Sequence, residues 1–160
     1  MIRATLIVAA TSAIVIWRIA AAQQPAEVPN DALTPGIVAS TDENEVCGIV
    51  GGLSYSERHR HTTAEMKAEV RKEYGQQHCG EIDHRLELSL GGADDVRNLW
   101  CQPGTGTWSF ADKDRLELYA WKAVCQHHSV TLRQAQSWFL APADWRTAYC
   151  GAFPSDRRCH

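Results

Sequence analysis

All six cysteines, Cys47, Cys79, Cys101, Cys125, Cys150 and Cys159, lie downstream of an apolar N-terminal run, and this arrangement limits the possible folds more than any other feature. An even number of cysteines behind a hydrophobic leader predicts disulfides formed in an oxidising compartment. Six cysteines allow 15 pairings, and spacing does not choose among them. No two stand close enough for a C-x-x-C, which excludes an ordinary zinc knuckle or ribbon. The leader reads as an export signal over residues 1–22. Met1-Ile2-Arg3 supplies a positive start, Ala4 to Trp17 an apolar stretch, and Ala20-Ala21-Ala22 a small-residue cleavage site. The expected location is therefore periplasmic or secreted. Arg18, between the apolar stretch and the cleavage site, leaves an uncleaved membrane anchor as the alternative, and it breaks the only long hydrophobic run, so a polytopic membrane protein is ruled out.

A chain of 160 residues with 44% hydrophobic residues suits one domain with a core of its own. Residues 23–45, with Pro25, Pro29, Pro35 and the acidic run Asp42-Glu43-Asn44-Glu45, read as a flexible linker, and the domain is expected over 46–160. Loss of residues 1–22 leaves 14 basic against 19 acidic side chains. A polyanion would then have to be held by local basic clusters such as Arg58-His59-Arg60-His61 or Arg157-Arg158, each of which by itself reads first as solvated surface.

Thr62 and Glu65 have capping-box spacing ahead of a helix that ends at Gly75. From Glu81 to Leu90 the chain alternates strictly, with Ile82, His84, Leu86, Leu88 and Leu90 on one face, which predicts a half-buried strand. Gly91-Gly92 and Asp94-Asp95 supply turn chemistry, and Val96 to Cys101 returns as an antiparallel partner. Ser109 and Asp112 open a helix on which Leu116, Tyr119, Ala120, Ala123, Val124 and His127 share one face. Thr131 and Gln134 open another, Pro142 breaks it, and Asp144 to Tyr149 forms a further turn or two. The fold class is α+β.

Glu81-Ile82-Asp83-His84, followed by Gly91-Gly92 and Asn98-Leu99-Trp100, resembles the HNH, or ββα-metal, nucleases. Val46-Cys47, the helix ending Arg71-Lys72-Glu73-Tyr74-Gly75, the Trp108 to Glu117 stretch and the closing Thr131 to Tyr149 helices extend the likeness to a group of exported bacterial HNH-type proteins, over roughly residues 46–149. The resemblance implies a ββα-metal hairpin-plus-helix core with additional flanking helices. It implies a monomeric, non-specific endonuclease that uses one divalent cation, usually Mg2+, to hydrolyse DNA or RNA. Asp83 matches the metal-binding carboxylate, His84 the general base and Asn98 the residue that orients the loop or the histidine, while Lys113 lies where a helix lysine meets a phosphate. The residue types suit those roles, because imidazole accepts a proton near neutrality and a hard cation prefers carboxylate oxygen. For Lys113 the bland reading is a solvent-exposed helix lysine. Neighbouring strand residues point to opposite faces, so Asp83 and His84 can converge only if a bulge or strand end lies near Asp83.

The sequence departs from the family at two positions. Ser109 stands where a helix-borne Asn ligates the metal, and its neutral hydroxyl is a poorer ligand for a hard cation. Glu87 stands where Pro is common. A catalytically degenerate relative serving as an exported binding or structural module is therefore the alternative. A metal scavenger built on His59, His61, His127 and His128 is a third reading, with no closed ligand set.

Overall fold

Glu81–His84 (β1) and Leu99–Gln102 (β2) pair antiparallel, with Asp83 opposite Trp100 and His84 opposite Leu99. In the computed structural model, which describes residues 25–76 and 78–160, helices surround this two-stranded sheet, giving an α+β fold. The expected export signal concerns residues 1–22, outside the described residues. Three short helices precede the sheet: Glu43–Cys47 (α1), Tyr55–His59 (α2) and Ala64–Glu73 (α3). Three follow it: Phe110–Cys125 (α4), Leu132–Ser137 (α5) and Trp145–Ala152 (α6). Among the described residues no helix is long and apolar enough to cross a membrane.

The helix starts follow their capping residues. Ser109 with Asp112 and Thr131 with Gln134 form the expected capping boxes of α4 and α5, and Asp144 caps α6. At α3 the cap is Thr63 rather than Thr62, because the Thr62 hydroxyl is engaged by Asp94 at 2.6 Å. Buried Leu116, Ala120 and Val124 of α4 join Leu86, Leu90, Leu132, Phe139 and Tyr149 in the main core. Each fully buried leucine contributes roughly 1.5–3 kcal/mol. Tyr119 and His127, expected on the same face, are exposed, because α4 meets its neighbours over a narrower stripe and ends at Cys125. A smaller cluster of Val70, Ile82, Leu99 and Cys101 joins α3 to the opposite side of the sheet.

The ten-residue strand expected over Glu81 to Leu90 stops after His84. Leu86, Leu88 and Leu90 are all fully buried, but through a tight loop and a 3-10 turn at Leu88–Leu90 rather than by strand alternation. Leu86 and Leu90 thereby enter the helical core, which a continued strand could not reach. Gly92 makes this loop possible, since a Cβ there would lie 2.0 Å from the Leu86 carbonyl oxygen.

Residues 25–42, expected as part of a flexible linker, instead lie against the domain. Thr34 donates from its buried hydroxyl to the Leu99 carbonyl at 3.0 Å, and Glu27 accepts from the Trp108 amide at 3.2 Å. Buried Arg85 donates to Asp31 and to the carbonyls of Thr34, Phe139 and Ala143, fastening the segment to the end of the α5 region. Composition pointed to a tether, but it carries no information about this single buried guanidinium that gathers three carbonyls.

Cys47 pairs with Cys125, Cys79 with Cys101 and Cys150 with Cys159. Three disulfides fit an oxidising, extracytoplasmic environment.

Candidate functional site

The end of β1 brings two neighbouring residues together from opposite faces of the sheet. Asp83 shares its face with Glu81, Trp100 and Gln102, while His84 lies on the side of Ile82 and Leu99. The strand ends at His84, the irregularity required for the two to meet, and His84 Nδ1 lies 3.4 Å from Asp83 Oδ1. His84 Nε2 lies 2.9 Å from Asp94 Oδ1. Asp94 is in turn held by the Thr62 hydroxyl and the His61 amide. The imidazole side chain is only 1% exposed, whereas Asp83 and Glu87 retain 12% and 13%, so the cluster faces solvent through its carboxylates.

The loop that carries this cluster is tied down by Asn98. Its side-chain amide donates to the carbonyls of Leu86 and Ala93 at 2.9 and 2.8 Å, and its oxygen accepts from the amides of Leu86 and Ile37 at 3.0 and 3.4 Å. A fully buried amide thus makes four hydrogen bonds, three that hold the turn between the strands and one that ties it to the segment at Ile37.

Lys113 departs from both sequence readings, the exposed helix lysine and the phosphate contact. It is 1% exposed, and its ammonium lies 3.2 Å from Asp83 Oδ2 and forms a close ion pair with Glu117, one turn further along α4. The side chain points inward, to the face of the sheet that carries Asp83. Ser109 uses its hydroxyl and amide on Asp112 Oδ2, at 3.1 and 3.0 Å, while Asp112 Oδ1 accepts from Arg158 at 2.9 Å.

Two groups of three potential ligands share Asp83. One comprises Asp83, His84 and Glu87, the other Asp83, Asp114 and Glu117, and within each group the ligand atoms lie within 4.8 Å of one another. Carboxylates with one imidazole are a donor set that suits a divalent ion, so the residues fit a metal. Neither group includes His59, His61, His127 or His128. His59 instead stacks on Tyr55, and His128 faces Glu43, which leaves the scavenger reading without support among the described residues. Asp94, Asp114 and Glu117 escaped the sequence reading. Glu117 stands four residues from Lys113, a helical spacing that signals contact, whereas nothing in the sequence links Asp94 to His84.

The ionisation of the site follows its contacts. Burial alone would raise Asp83, but Lys113 and His84 outweigh it and hold its carboxyl well below the usual range. Burial likewise opposes Asp94, which hydrogen bonds from Thr62, His61 and His84 keep low. Lys113 is held up by Glu117, Asp83 and Glu87 against the pull of burial. Burial raises Glu81 and Asp114, reinforced by Asp83 in each case.

These shifts predict how stability changes in acid. Asp83 and Asp94, depressed in the folded state, contribute stability that is full above the unfolded carboxylate value of roughly 4 and is lost as pH falls through their folded values. Glu117, which burial pushes well above the usual carboxylate range, acts with the opposite sign together with Glu81 and Asp114, and their protonation favours the fold before that loss begins. Thermal melts followed by circular dichroism should therefore rise as pH falls from 7 toward about 5 and then fall steeply below about 4. Asp94→Asn should flatten part of the acid limb, and an unchanged limb would remove Asp94 from this account.

Comparison with known protein families, with curated proteins and with solved structures finds no match for this chain.

Proposed function

We propose that the protein is an exported, metal-dependent endonuclease of the HNH, or ββα-metal, kind that hydrolyses phosphodiester bonds of DNA or RNA without sequence preference. The observation that carries this reading is the environment of His84. Its two ring nitrogens face two carboxylates, Nε2 at 2.9 Å from Asp94 Oδ1 and Nδ1 at 3.4 Å from Asp83 Oδ1. In a neutral ring one nitrogen donates and the other accepts, so whichever nitrogen is left as an acceptor beside a carboxylate calls for a proton or a cation between them. A base next to a cation ligand meets that need, and a histidine serving only to fill the core does not require it. The succession of strand, braced turn, strand and helix supports the same reading.

Each residue then has a task. Asp94 would orient the imidazole, as a carboxylate does for a histidine base. The ring is only 1% exposed, so Nδ1 would take its proton from a water admitted at the carboxylate edge beside Asp83, as the water oxygen bonds to phosphorus and the ester P–O bond breaks. Asn98 keeps the loop in register with β2. Asp83 and Glu87 supply the oxygens that would hold a divalent ion such as Mg2+. Bound there, such an ion would neutralise charge on the phosphoryl and leaving oxygens. It would also offset the acidic surroundings, which otherwise repel a polyanion. Lys113, being buried, has no phosphate to meet.

A degenerate relative that retains the scaffold for binding is the second reading, and the engagement of Ser109 favours it, because its hydroxyl belongs to a capping box. One experiment separates the two. Plasmid DNA and RNA are incubated with the oxidised protein in Mg2+, Mn2+ or chelator. Metal-dependent cleavage is expected, and His84→Ala should lower it by about 10²–10⁴-fold. Cleavage untouched by His84→Ala would reject the mechanism. An inert wild type that gains activity through Ser109→Asn would establish the degenerate scaffold instead.

A further inference from the structure

We propose that the Lys113 ammonium is a built-in cation that fills the second of two cation positions around Asp83 and so limits the site to a single divalent ion. The two ligand groups share Asp83, and they differ in what already occupies them. Asp83 Oδ1 faces His84, whereas Asp83 Oδ2 and Glu117 both engage Lys113 Nζ. Two of the three carboxylates of the Asp83–Asp114–Glu117 group therefore already share one ammonium supplied by the chain itself. Gln102 Nε2 lies 3.5 Å from the same Asp83 oxygen, which further fixes its direction.

The physical need for a cation there is strong. Asp83 and Glu117 are buried, and uncompensated charges in such a place are costly, so the position has to be filled by something positive. A lysine is a compact point charge that takes part in no redox or Lewis-acid chemistry. At 1% exposure it neither reaches a nucleic-acid backbone nor exchanges with solvent ions. Its position also turns the other carboxylate oxygen of Asp83 toward His84, so Lys113 is a positioning residue. The proposal relies on the nuclease reading only for the purpose of the first ion.

Mn2+ binding counted by titration calorimetry and electron paramagnetic resonance tests this. Lys113→Met, which keeps the length and removes the charge, should bind one Mn2+ per chain more than wild type. Lys113→Arg should keep the wild-type count, and adding Glu117→Gln to Lys113→Met should abolish the extra ion. A folded Lys113→Met with the wild-type count overturns the proposal. If Lys113→Met is unfolded in chelator, Mn2+ is added and folding followed by circular dichroism. Recovery of the fold supports the proposal and failure to recover overturns it. A wild type that binds no Mn2+ at all counts against the nuclease reading, while the difference between variant and wild type still decides the role of Lys113.

Discussion

Replacing Asn98 with alanine is expected to unfold most of the protein at room temperature, or to lower its melting point by well over ten degrees. Asn98 is completely buried, and its amide serves the carbonyls of Leu86 and Ala93 and the amides of Leu86 and Ile37. Alanine leaves those backbone groups in place and removes every partner. Each buried orphan costs about 1–3 kcal/mol, so even with some relaxation the loss is on the order of 3–6 kcal/mol. That is a large share of the roughly 5–15 kcal/mol that separates folded from unfolded in a domain of this kind. Arg97, the preceding residue, is exposed and pairs only with nearby Asp95, so Arg97→Ala should stay within about 0.5 kcal/mol of wild type. Urea melts of the two variants side by side measure the contrast. An Asn98→Ala protein within 1 kcal/mol of wild type would mean that water or backbone movement replaces the brace.

Asn98 also shows where sequence reasoning succeeds and where it stops. Its bracing role is what the resemblance to the HNH motif implies, and an amide, with two donor hydrogens and an acceptor oxygen, is chemically suited to it. The helix starts at Ser109, Thr131 and Asp144 were legible because caps are local, each set by residues within one turn of one another. The strand was read too long because alternation of leucines is the same whether the chain runs straight or folds over. Only the close approach of Gly92 to the Leu86 carbonyl distinguishes the two, and that is a tertiary fact. The candidate site divides in the same way. Asp83 and His84 are neighbours and were visible together. Asp94 reaches His84 from across the turn, and the inward direction of Lys113 depends on Asp83, 30 residues away in the chain. Arg85 is the clearest case: a charged residue in an alternating stretch reads as solvent-facing, yet it is buried because residues 31–34 and 139–143 offer it oxygens.

The second large effect concerns the disulfides, which should differ in value because they close loops of different length. Cys47–Cys125 spans 78 residues and joins the end of α1 to the end of α4, whereas Cys79–Cys101 spans 22 and Cys150–Cys159 only 9. Constraint of the unfolded chain then gives about 4 kcal/mol for the first, about 3 for the second and between 2 and 3 for the third, on a chain-entropy estimate. Removing Cys47 and Cys125 together by alanine substitution should therefore produce the largest fall in the urea midpoint of the three pairs. Cys101 is fully buried beside Val70, Ile82 and Leu99, so loss of its pair adds a packing defect that narrows the difference in midpoint. The slope of free energy against urea separates the two contributions. Releasing a long loop expands the unfolded ensemble and raises the slope, while a packing defect leaves it unchanged. The slope should thus rise most without Cys47–Cys125 and barely move without Cys150–Cys159. Equal slopes for all three would show that the bridges act on the folded state, and the ranking by loop length would fail.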